Sequence, residues 1–139
     1  MLLMSLGHWP SILAAAIAAW LIGALWYSPL LFAKAWVRAH GYTRERLAAM
    51  RATAGRAYAG SFIAFLVMAS VLHILLSHLG AESLHKGAAW GFHAWLGFAL
   101  PIGVTANLYS DKPVATFLID AGYQLVYLTA MGAILGAWH

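Results

Sequence analysis

The chain has 139 residues, 63% of them hydrophobic and only 9% charged, and its mean hydropathy of +0.78 is far above that of an average soluble domain. Its formal charge of +4 rests on basic residues too few and too close to apolar flanks to form a stripe that tracks nucleic acid, so no nucleic-acid partner is expected. The absence of cysteine excludes disulfides, thiolate catalysis and cysteine-ligated metals.

Met1 to Pro10 carries no Lys or Arg, which argues against a cleaved signal peptide with a basic leader, so the first helix is expected to be retained. The apolar run from Trp9 stops at Ser28-Pro29, because proline lacks a backbone N–H and pushes its predecessor out of helical space; this predicts a span over 9–28. From Leu30 to His40, Leu30, Leu31, Phe32, Trp36 and Val37 stand against Lys34, Arg38 and His40, the pattern of an amphipathic segment lying in the membrane interface, and Gly41 is placed to end it. Thr43 is suited to cap a helix that begins polar at Arg44 to Arg56 and turns apolar from Ala57, giving a second span over 57–79 with a soluble extension. Gly80 to Lys86 reads as a turn, 87–108 as a third span, Tyr109 to Pro113 as another turn and 114–138 as a fourth span. The expected fold is all-α: one integral membrane domain of four transmembrane helices in a compact bundle, with an amphipathic interfacial segment between helices one and two.

Lys and Arg are retained on the cytoplasmic side of membranes. Lys34, Arg38, Arg44, Arg46, Arg51, Arg56 and Lys112 fall in the first and third connections, and only Lys86 falls in the second. The expected location is therefore a bacterial inner membrane, with the basic 34–56 loop cytoplasmic and both termini periplasmic. The lipid bilayer is the first expected partner. Gly87-xxx-Gly91 and Gly132-xxx-Gly136 match the small-xxx-small pattern of close helix approach, which supports a bundle or a homo-oligomer, and a larger membrane complex is the other partner considered.

The stretch from Leu25 through Trp26, Tyr27, Ser28 and Pro29 to Trp36 resembles the opening signature of a family of small bacterial membrane proteins known only as a domain of unknown function, numbered seventeen sixty-one. Trp95-Leu96-Gly97-Phe98 and Ile119-Asp120-Ala121-Gly122-Tyr123 are similar to its later segments, so the likeness covers almost the whole chain. The resemblance implies a four-helix fold and no established activity.

Function must then be read from the polar residues. Asp120 is the only acid inside a predicted span, roughly 9 Å from the cytoplasmic edge at the helical rise per residue. An uncompensated Asp near mid-membrane costs about 2.5–3.5 kcal/mol, so it is expected to face the bundle, to be protonated or to touch water. Tyr123, Gln124 and Tyr127 follow at helical spacing on the same face and form a polar stripe. His73 and His93 fall at the depth of Tyr127, nearer the outer surface, and Asn107 falls near the inner mouth. This predicts a ladder from Asp120 through Tyr123 or Gln124 to Tyr127 and the two histidines rather than a direct Asp–His pair.

Three functions fit. The first is small-molecule or proton-linked binding or transport, in which Asp120 changes protonation, along Asp120, Tyr123, Gln124, Tyr127, His73, His93 and Asn107. The second is a non-catalytic accessory or assembly subunit, in which the stripe only ties helices together. The third is a membrane enzyme built on a histidine and carboxylate pair; no catalytic residue is assigned. No cofactor is expected, and His73 and His93 are weak candidates for holding a metal ion.

Overall fold

The structure, a computed structural model, describes residues 7–138. The expectations for Met1 to Leu6 and for His139 lie outside the described residues. Among the described residues, seven α-helices follow in chain order: α1 (Trp9–Trp26), α2 (Ala33–His40), α3 (Arg44–Ala52), α4 (Ala54–His78), α5 (Leu84–Ala94), α6 (Leu100–Leu108) and α7 (Val114–Ala137), with a π-helical segment at Trp95–Ala99 joining α5 to α6. No strand occurs among the described residues.

The local chemistry of the ends explains most of these limits. Pro10 sits in the first turn of α1, where its missing N–H leaves no bond unmade. Beyond Trp26 the Ser28 hydroxyl donates to the Leu25 carbonyl at 2.6 Å, and Pro29 follows, so the chain turns away from the helix axis. Helix α2 closes at Gly41, whose φ of 69° is left-handed and suits a residue without a side chain. The Thr43 and Ser83 hydroxyls cap α3 and α5 by accepting from Arg46 N and Lys86 N, each at 3.2 Å.

Two features depart from the expected elements. The helix expected to run unbroken from Arg44 into the second span is interrupted at Thr53, whose N–H and hydroxyl both turn back to the Met50 carbonyl. The expected third span is helical throughout 84–108 but changes its winding at Trp95–Ala99. Pro101 accounts for this: it cannot donate to the carbonyl four residues earlier, and a π segment accommodates the missing bond. Three helices, α1, α4 and α7, are each long and apolar enough to cross a membrane.

Helix α7 is the centre of the molecule. It packs against α1 on one side and α5 on the other, α4 lies against α1, and α4 and α5 barely meet. Small residues set these distances. On α1, Ala15, Ala16 and Ala19 are fully buried. Between α5 and α7, Gly87 and Gly91 interleave with Gly132 and Gly136: a Cβ on Gly87 would overlap the Gly132 carbonyl oxygen and stand 2.9 Å from Gly136 Cα. Both small-xxx-small motifs are therefore used within one chain, backbone against backbone. Met131 and Leu135 fill the space between α7 and its neighbours, while α6 leaves Ile102 and Leu108 exposed.

Candidate functional site

Three consecutive residues of α7 are each held by a side chain from elsewhere in the fold. The Trp26 indole N–H donates to the Ile119 carbonyl at 3.0 Å. The Tyr27 hydroxyl donates to Asp120 Oδ1 at 2.5 Å. The Trp95 indole N–H, at the start of the π segment, donates to the Ala121 carbonyl at 2.9 Å. Helix carbonyls have a second lone pair available, so the two indole bonds add to the ladder of α7 without breaking it. One turn further, the Tyr123 hydroxyl donates to the Ala19 carbonyl of α1 at 2.9 Å.

Two glycines make room for these clasps. A Cβ on Gly122 would lie 3.1 Å from the Trp26 ring, and one on Gly23 would lie 2.6 Å from the Tyr123 hydroxyl. Ser28 and Pro29 have a different part: they end α1, which leaves Trp26 and Tyr27 at the helix terminus facing α7.

On its other side Asp120 lines an open cleft of about 240 Å³ between α6 and the first half of α7. Asn107, Ser110, Lys112, Thr116, Phe117 and Gln124 also line it. Asp120, Asn107 and Gln124 are all half-buried, whereas Lys112 is exposed at the turn before α7. Asp120 thus stands between the Tyr27 hydroxyl, which fixes its Oδ1, and an open recess lined by both polar and apolar side chains.

The predicted stripe divides at this point. Gln124 belongs to the cleft, while Tyr123 and Tyr127 turn toward α1 and α4. Tyr27, Tyr123 and Tyr127 form a column of edge-to-face rings, with centroids 5.4 Å and then 4.7 Å apart, and Phe65 closes it at 5.2 Å from Tyr127. Neither histidine of the expected ladder joins this column. His73 is buried and packs against His8 with the rings tilted, their centroids 4.6 Å apart. His93 is exposed, with its Nδ1 2.6 Å from the Ala89 carbonyl and its ring against Trp90 and Phe92. Among the described residues, no group of three or more His, Cys, Asp or Glu side chains is placed to hold a metal ion.

A family model described as Protein of unknown function (DUF1761) matches residues 10–136. The chain belongs to this family. No curated protein and no solved structure matches it. In this DUF1761 member the three stretches that carry the resemblance, around Trp26-Tyr27, Trp95 and Ile119-Asp120-Ala121, are those that interlock.

Sequence reasoning singled out Asp120 and the Trp26-Tyr27 motif but did not join them, and it missed Trp95 as a clasp and Ser110, Lys112, Thr116 and Phe117 as cleft residues. The π segment that sets Trp95 on α7 has a visible cause in Pro101. The pairing of Tyr27 with Asp120 has no local signal, since it spans a separation of 93 residues.

Proposed function

We propose that this protein binds a small polar ligand bearing a protonated amine in the cleft beside Asp120, as the ligand site of a membrane binding or transport protein. The observation that carries this reading is the two-sided setting of Asp120, bonded to Tyr27 on one side and open to the cleft on the other. A carboxylate that served only to join helices would be enclosed by them. An open one offers a charge-assisted partner to an ammonium group, and exchange of its own proton would couple binding to a proton.

In this proposal the 84–108 run is a fourth crossing beside α1, α4 and α7, and α2 lies in the interface. The preponderance of Lys and Arg in the first and third connections supports a cytoplasmic mouth for the cleft and periplasmic termini.

Ethanolamine titrated into the protein in lipid nanodiscs, followed by tryptophan fluorescence, tests the proposal. Asn at position 120 keeps an acceptor for Tyr27 but loses the charge, so Asp120→Asn is expected to keep its melting curve and bind ethanolamine at least about tenfold more weakly, as loss of a charge-assisted bond implies. Equal ethanolamine response in both proteins, with an effect of Asp120→Asn on stability alone, would instead favour the accessory-subunit reading. The clasps from Trp26, Tyr27 and Trp95 are the observation on that side.

A further inference from the structure

The cleft has a polarity along its length. Its floor carries Asp120, about 9 Å along the α7 axis from Val114 at the helical rise per residue. Its rim carries Lys112, on the turn before α7. The start of α7 reinforces the positive rim: Pro113 offers no capping side chain, and the Thr116 N–H and hydroxyl both turn back to the Pro113 carbonyl, so no side chain caps the N–H groups of Val114 and Ala115. Asn107 and Ser110 on the α6 side and Gln124 on α7 line the same recess with uncharged hydrogen-bonding groups. The acidic neighbour of Lys112, Asp111, is exposed and does not line the cleft.

A simple cation is attracted by the floor and repelled at the rim, and a simple anion meets the reverse. A molecule with an ammonium group and an anionic group a few bonds apart satisfies both ends at once, and the flexible stem of Lys112 lets its ammonium reach inward to meet the anionic end. We infer that the cleft takes a zwitterion, its ammonium on Asp120 and its carboxylate or phosphate on Lys112. This rests on the binding role proposed above and narrows its ligand class. The same chemistry is carried by a free amino acid and by the headgroup of an ethanolamine phospholipid.

The test uses the full chain in nanodiscs of phosphatidylglycerol alone, titrated with glycine, phosphoethanolamine, ethanolamine and inorganic phosphate. At least one of the two zwitterions is expected to bind about tenfold or more tightly than ethanolamine and phosphate. Lys112→Ala is expected to remove that advantage, while Asp111→Asn keeps it. Lys112 is exposed, so its replacement leaves the fold in place, and a melting curve checks this. If ethanolamine binds as well as both zwitterions and Lys112→Ala changes nothing, the zwitterion is overturned while the Asp120 site stands. If no amine binds, both proposals fall.

Repeating the titration in discs that also contain phosphatidylethanolamine separates the sources. Weaker binding of the soluble zwitterion there supports the lipid headgroup as occupant. Unchanged binding supports the free molecule.

Discussion

Tyr27 reaches Asp120 across 93 residues of chain, and the bond between them fixes which face of α7 meets the end of α1. Such a bond contributes about 0.6–2 kcal/mol between helices in a membrane. Tyr27→Phe keeps the ring in its edge-to-face packing on Tyr123 and deletes only the hydroxyl. We expect it to lower stability by about 1 kcal/mol, read as an earlier midpoint in denaturant, and Trp26→Phe to add a similar loss through Ile119. An unchanged midpoint in both would mean that the clasps do not hold α7. At this scale the sequence made Asp120 conspicuous, because an acid in an apolar helix is expensive wherever it occurs. It could not show that Tyr123 and Gln124, adjacent on the helix face, part company: that depends on α1 lying on one side and α6 on the other.

At the scale of elements, the ends that rest on one residue's chemistry were legible: the stop at Ser28-Pro29, the left-handed Gly41 and the Thr43 cap. The break at Thr53 was not, since it depends on a balance among several backbone bonds, and the π segment was missed although Pro101, its cause, stands in the sequence. The glycines show how pattern and use differ. Their spacing suggested contact between helices, and the structure spends that contact within one chain, joining α5 to α7. Gly87→Leu would drive a side chain into the Gly132 and Gly136 backbone, and we expect a loss of about 1–3 kcal/mol, read as a lower midpoint in a thermal melt followed by helical signal. Gly97, with open space around its Cβ position, is the control: Gly97→Ala should melt as the parent does. Equal melting of the two variants would contradict the close α5–α7 approach.

At the scale of the whole molecule, composition alone made a membrane protein the expectation, and three helices are long and apolar enough to support it. The arrangement of those helices was not legible, because apolar surfaces in lipid do not by themselves specify neighbours; small residues and polar clasps do. They leave α7 at the centre with Asp120 between Tyr27 and the cleft. The central claim is that this cleft is open to water at the cytoplasmic face. The chain has no cysteine, so each substitution introduces a single reporter thiol. Labelling of Gln124→Cys by a membrane-impermeant maleimide in inverted and right-side-out vesicles is the most direct test, with Lys112→Cys as the exposed reference and Tyr127→Cys as the buried one. Labelling from the cytoplasmic face at a rate near that of Lys112→Cys, slowed by added ethanolamine, is the expected result; protection equal to that of Tyr127→Cys in both vesicle orientations would contradict it.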